Sequence, residues 1–236
     1  MAGRNTAWRL AGAALLAACA AGHAAADESP PAEAVTAVPS ADSAIPSADF
    51  LAETASTDAH YAADWVVRNA DNRQAPFAIV DKREARLYVF GADGRLKGAS
   101  TILLGSATGD DAVADIARRS PSSLAPGERT TPAGRYGSEP GHNLQGEDIV
   151  WIDYDASLAI HRLRPSPAAE RRAERIESAS PGFKRISFGC VVVPVAFYEE
   201  VVLPLLGRQR GVVYVLPEMR AVHEMFGGLQ MSMRTP

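Results

Sequence analysis

Cys190 is the residue of this chain whose chemistry most needs an explanation. It lies in Ser187-Phe188-Gly189-Cys190, directly before Val191-Val192-Val193, and the other cysteine, Cys19, falls inside an N-terminal stretch that reads as an export signal. With Cys19 removed or lipidated, Cys190 has no intrachain partner and a disulfide framework is excluded. Buried free cysteines commonly serve as small hydrophobes. An unpaired thiol in an oxidising compartment, preceded by a glycine, points instead to a nucleophile. A thiol is mostly protonated at neutral pH, so it needs an imidazole to take its proton or to pair with the thiolate. His161, closing the apolar run Ser157-Leu158-Ala159-Ile160, is the candidate base. His23, His60 and His223 fall in signal, spacer and tail, and His142 is a candidate accessory group. Backbone N–H groups of Gly189 and Cys190 are candidate oxyanion donors. One cysteine and dispersed histidines do not supply the spaced ligand pairs of zinc sites, so no metal and no organic cofactor is expected.

The chain has 236 residues. Arg4 and Arg9 give a positive start and Leu10–Ala18 an apolar stretch too short to span a bilayer, the pattern of a signal peptide over residues 1–26. Leu16-Ala17-Ala18-Cys19 resembles a lipobox, which would make Cys19 a lipid-carrying membrane tether, while Ala24-Ala25-Ala26 suits ordinary cleavage. Both remain open, and either places the protein in the periplasm or outer envelope. After the signal, 28 acidic residues stand against 22 basic ones. That balance argues against a nucleic-acid partner.

Residues 27–75 are expected to be a disordered spacer to about Asp58, rich in Ala, Ser, Pro and acidic residues, and then a lead-in where Tyr61–Asn69 either forms a short helix with Trp65 and Val66 docking on the domain or packs loosely. The ordered domain is expected over 76–217 and a tail over 218–236. Phe77–Val80, Arg86–Phe90, Ala99–Gly105, Ile149–Ile152, Ser157–Ile160 and Val212–Leu216 read as strands. Residues 110–129 read as a polar surface insertion with a helical piece near Ala112–Arg119. Pro194 is expected to start a helix that Pro204 disrupts. Many short strands with few helices predict one mostly β, sandwich- or barrel-like domain.

Three elements occur in order: Thr131-Pro132-Ala133-Gly134-Arg135-Tyr136, then Ala159-Ile160-His161, then Ile186-Ser187-Phe188-Gly189-Cys190-Val191. This set resembles the catalytic domain of the L,D-transpeptidase (YkuD-type) family over roughly Pro76–Pro217, and the opening hairpin Ile79–Phe90 is similar to the family's first two strands. The resemblance implies a Cys190 nucleophile with His161 as base and Ser187 orienting the ring or the loop. The reaction it implies is attack on a peptidoglycan stem tetrapeptide, release of the terminal D-Ala and a thioester on Cys190. An amine of a second stem or of a lipoprotein then takes the acyl group; water instead would make the chain an L,D-carboxypeptidase or amidase.

Phe188 stands where the family has a histidine, so a second imidazole is lost and His161 carries the base role alone, and Val192 stands where the family has Arg or Asn, so carboxylate or amide recognition is lost there; Phe188 and Val192 are the candidate substrate contacts at these positions. With these departures, an inactive peptidoglycan-binding module is the reading from a different class. An extra stretch, Pro165–Gly182, separates His161 from Cys190, with a helix expected over Ala168–Ser178. It reads either as a solvated helix with Arg171 and Glu174 paired, or as a lid under which Arg162, Arg164, Lys184 or Arg185 meet the carboxylates of an anionic stem peptide.

Overall fold

The computed structural model describes residues 46–226; the expected signal peptide, Cys19 and the end of the tail lie outside the described residues. Among the described residues ten strands form: β1 (Phe77–Asp81), β2 (Arg86–Phe90), β3 (Leu96–Thr101), β4 (Leu104–Gly105), β5 (Gly134–His142), β6 (Asp148–Asp153), β7 (Leu158–Arg162), β8 (Arg185–Ser187), β9 (Val191–Val193) and β10 (Gly211–Val215). Eight of them make one mixed sheet in the order β3-β2-β1-β10-β5-β6-β7-β9, and β4 pairs with β8. Beyond β3 the chain bonds to the opposite edge strand, since Leu103 and Val192 exchange backbone hydrogen bonds of 2.8 and 2.9 Å. The sheet therefore curls nearly closed, and the fold is mostly β and barrel-like with a few short helices.

Alternation along the strands sorts side chains onto two faces. Val80, Leu87, Val89, Val150, Ile152, Leu158, Ile160, Val191, Val193, Val213 and Val215 meet in the interior with Tyr198, Val202 and Leu206. Phe77, Ile79, Tyr88, Phe90, Val212 and Tyr214 leave β1, β2 and β10 on the other face and need a cover.

That cover comes from residues expected to lie outside the domain. Helix α1 (Thr57–Arg68) is capped by Ser56, whose Oγ accepts from Ala59 N at 3.0 Å. Ala59, Ala62, Ala63 and Val66 recur at helical spacing and are buried on the aromatic face with Phe50. The lead-in thus takes the helical alternative, with Val66 and Trp65 docked on the sheet, and residues 46–56, expected as spacer, pack with it. The tail is corrected likewise: Val222 and Phe226 join the same cluster, with Phe226 against Trp65 at 5.4 Å.

After β9, helix α3 (Val195–Phe197), a π-turn (Tyr198–Val202) and helix α4 (Leu203–Leu205) run without a break. Pro204 was expected to end this helix, but the wider π-turn loosens the hydrogen-bond ladder where proline's missing N–H would break it. The second insert holds a 3-10 turn (Ala168–Glu170) and helix α2 (Arg172–Glu177), separated by Arg171 at φ 51°.

Candidate active site

Two parallel neighbours bring the predicted nucleophile and base together. His161 lies on β7 in register with Val192 of β9, and Cys190 precedes β9 by one residue. Ile160 packs into the interior, so alternation turns His161 to the other face. There it lines one open cleft of about 780 Å³ with Cys190, Ser187, Phe188, Arg164, Glu170 and Arg172.

The histidine's tautomer is set by its neighbour. Nδ1 lies 2.8 Å from the backbone carbonyl of Arg162. A carbonyl only accepts, so Nδ1 carries the proton and Nε2 is left as the basic atom. Burial, together with the charges of Arg164 and Arg172, pushes the imidazole down to about 4. Burial pushes the Cys190 thiol up, and the thiol donates to the carbonyl of Ser157 at 3.5 Å. Both shifts disfavour charge, so the resting pair near pH 7 is thiol and neutral imidazole rather than thiolate and imidazolium.

The loop before the cysteine is locked from two sides. Ser187 Oγ donates to the Cys190 carbonyl at 2.6 Å and accepts from Gly189 N–H at 3.1 Å. Ser187 therefore holds the loop, not the imidazole, and it occupies Gly189 N–H. The expectation that this N–H is free for an oxyanion is corrected, leaving Cys190 N–H as the candidate donor. On the other side Thr131 Oγ1 donates to the Gly189 carbonyl at 2.8 Å and accepts from Gly105 N–H at 2.9 Å. Gly189 sits at φ +135°, and a Cβ there would come within 2.8 Å of the Thr130 carbonyl. Gly189→Ala is expected to lower stability by about 1–3 kcal/mol and to slow alkylation of Cys190. A variant with unchanged melting and unchanged thiol reactivity would show that the loop does not need glycine.

Behind Thr131 lies a buried ion cluster whose members are far apart in sequence. Lys82 Nζ donates to Asp110 Oδ1 at 2.9 Å and to the Thr131 carbonyl at 3.0 Å, and lies 3.5 Å from Glu218. Asp110 also accepts from the backbone N–H groups of Glu218, Met219 and Arg220.

Of the basic residues expected to meet carboxylates, the cleft contains Arg164 alone. Arg162 turns to the helix side, stacking over Tyr198 and reaching Glu199 at 3.1 Å. Arg185 is held by Glu218 and by the carbonyls of Ala107 and Lys82. Lys184 is buried, and burial, with the charge of Arg86, lowers its ammonium. Arg162, Lys184 and Arg185 thus lie outside the cleft that Cys190 and His161 line. Arg172, on α2, and Glu170, which pairs with it, are cleft residues that sequence reasoning missed. Arg171 and Glu174 do pair, on the exposed side of the insert.

Val192 is outside the cleft as well. It is fully buried against Leu103 and Ile176, so α2 covers the surface on which a polar residue would meet a ligand. Phe188 is exposed and lies under the Arg129 guanidinium at 4.4 Å. Together with Cys190 it separates the charged cleft from a second, apolar one, lined by Ala112, Val113, Ile116, Leu124 and Leu158 under the first insert.

No family model and no curated protein matches the chain. Solved structures of L,D-transpeptidases do. The L,D-transpeptidase (residues 123–326) of Xylanimonas cellulosilytica is 18% identical over 60% of this chain and 60% of its own, with a TM-score of 0.35. The Ldtfm–avibactam carbamoyl enzyme is 18% identical over 60% of this chain and 49% of its own, also at 0.35. The catalytic domain of the E. faecium L,D-transpeptidase is 16% identical over 61% of this chain and 98% of its own, at 0.33. This chain thus spans less than two thirds of the length of the first two. The likeness to L,D-transpeptidase domains is one of fold alone.

Proposed function

We propose that this chain is a cysteine L,D-transpeptidase acting on peptidoglycan stem tetrapeptides in the cell envelope. The observation that carries the proposal is a thiol and an imidazole of fixed tautomer lining one cleft, with the guanidinium groups of Arg164 and Arg172 beside them. The ordered motifs around Thr131, His161 and Cys190 support it, and Arg164 and Arg172, paired with Glu147 and with Glu170 of the same cleft, would exchange those carboxylates for one of an anionic stem peptide.

In the proposed reaction the Cys190 S–H proton passes to His161 Nε2 as sulfur attacks the carbonyl between the third and fourth stem residues. Cys190 N–H faces the oxyanion. The C–N bond breaks, the imidazolium returns its proton to the departing D-Ala amine, and a thioester remains. An acceptor amine then attacks the thioester, loses a proton through His161, and leaves an amide and the free thiol. Because both groups start neutral, deprotonation coincides with attack, and the thiol stays protected from stray electrophiles until substrate is bound.

Intact-mass spectrometry after incubation with a carbapenem and with a disaccharide-tetrapeptide tests this, with Cys190→Ala as control. An adduct lost in the control, with a cross-linked dimer, is expected. Loss of D-Ala without a dimer would make the chain a carboxypeptidase, and neither adduct nor turnover would leave a binding module. Membrane fractionation of Cys19→Ala tests the proposed lipid tether, which fails if the variant stays membrane-bound.

A further inference from the structure

The outward face of the β5–β6 hairpin carries an aromatic corner that the fold does not use. Val150 and Ile152 point into the interior, so Trp151 between them points out, in register with Glu139 of β5. Its indole lies against Gly141, where a Cβ would come within 2.4 Å of the ring. Tyr154, 73% exposed, stands 5.0 Å from the indole at 70°, so the two rings make a floor and a wall. A groove of about 430 Å³ runs beside them, lined by Gly137, Glu139, Trp151, Ile152 and Tyr154. Gly137 keeps it open, since a Cβ there would meet nothing within 4 Å. At the rim Glu139 pairs with the exposed Arg210 at 2.9 Å.

This chemistry suits a pyranose. The apolar C–H face of a sugar ring stacks on an aromatic ring, while its hydroxyl and acetamido groups need an acceptor and a donor at the edge, here Glu139 and Arg210. A nucleic acid would also stack on aromatic rings, but it needs a basic surround, and the chain is acidic with a carboxylate in the groove itself.

Trp151 is in register with Ala159 of β7, and Ala159 and His161 share the outward face. The aromatic floor is therefore on the same side of the sheet as the imidazole, and two strands, about 10 Å, from the strand that Cys190 precedes. We infer that this groove binds the N-acetylhexosamine backbone of a glycan, holding the polymer so that its attached stem peptide reaches the Cys190 cleft. Sugar binding stands on the groove alone; the delivery of the stem rests on the proposed function.

The test is titration of the full chain with a β-1,4-linked N-acetylglucosamine tetramer, followed by calorimetry and tryptophan fluorescence. Tyr154→Ala removes the wall, and Gly137→Leu fills the groove from a position with space for a side chain. Saturable binding is expected, weakened about tenfold or more by either substitution and unchanged in Cys190→Ala. No binding by the unaltered chain, or binding that survives both substitutions, would overturn the inference. A second arm compares turnover of free tetrapeptide with that of glycan-linked tetrapeptide. Both groove variants should lose the preference for the linked substrate and keep turnover of the free one. If the unaltered chain turns over neither substrate, the proposed function fails while the titration still decides the groove; if it turns over both and binds no tetramer, the groove fails alone.

Discussion

Replacing His161 by Gln is expected to slow acylation of Cys190 by about 10²- to 10⁴-fold near pH 7. Because burial raises the thiol and lowers the imidazole to about 4, the unaltered pair holds no preformed thiolate. Attack needs Nε2 to take the proton, and Nε2 is basic wherever the ring is neutral. The acylation rate of the unaltered chain should therefore be nearly flat from about pH 5 upwards. The Gln variant, left with spontaneous ionisation of a raised thiol, should instead rise about tenfold per pH unit into the alkaline range. Stability carries a second signature. A histidine whose folded value is about 4 and whose unfolded value is about 6.5 binds its proton more readily when the chain is unfolded. The native state thus loses stability as pH falls from about 6.5 to 4, by at most about 3 kcal/mol and by less because the ring is partly exposed. His161→Gln should remove that slope in denaturant unfolding. A variant that acylates at the original rate, or that keeps the acid slope, would remove His161 from the base role.

The interior of the fold was legible because its strands announce themselves. Phe77–Val80, Arg86–Phe90 and Val212–Leu216 are β-branched and aromatic runs that can hardly do anything but pair. β5 was missed because Gly134, Gly137, Pro140 and Gly141 read as turn. Gly137 and Gly141 lie on the outward face, where the absence of a side chain leaves room for a groove and an indole, and Gly134 lies on the inner face against the Tyr136 ring. Helix α1 was half seen, since Ala59, Ala62 and Ala63 carry too little apolar weight to mark a face until the aromatic sheet they cover is known. In the site, Cys190 and His161 were legible from residue type and local motif, but the direction of each basic side chain was not. Arg162 and His161 are adjacent in sequence and on opposite faces of β7, and Arg172 enters the cleft only because the insert breaks at Arg171 and restarts as α2. Parity along a strand and a left-handed residue between two turns decide such questions, and neither is written in charge pattern.

The largest effect on stability is expected from Asp110→Ala. Lys82 is fully buried, and Asp110 is its closest anionic partner at 2.9 Å. Removing that carboxylate leaves the ammonium to Glu218 at 3.5 Å and deprives three backbone N–H groups of their acceptor. Breaking a buried pair from one side costs up to about 3–5 kcal/mol, and Glu218, already shared with Arg185, compensates the surviving charge only in part. Lys82→Met/Asp110→Ala removes that charge as well and should recover part of the loss, a non-additivity that thermal and denaturant unfolding will read. The effect should also reach the thiol. Lys82 holds the Thr131 carbonyl, and the Thr131 hydroxyl holds the Gly189 carbonyl, so the single variant should change the alkylation rate of Cys190, some distance from the substitution. Acid titration gives the sign. Burial alone would raise the Asp110 carboxyl, but the Glu218 N–H and Lys82 outweigh it and hold the group well below the usual carboxylate range. Stability from a depressed carboxyl is present above about pH 4 and drains away as pH falls below it, and Asp110→Ala should lack that acid limb. A single variant that costs under about 1 kcal/mol, or a double variant that merely adds the two losses, would mean that the cluster is solvated and does not brace the nucleophile loop.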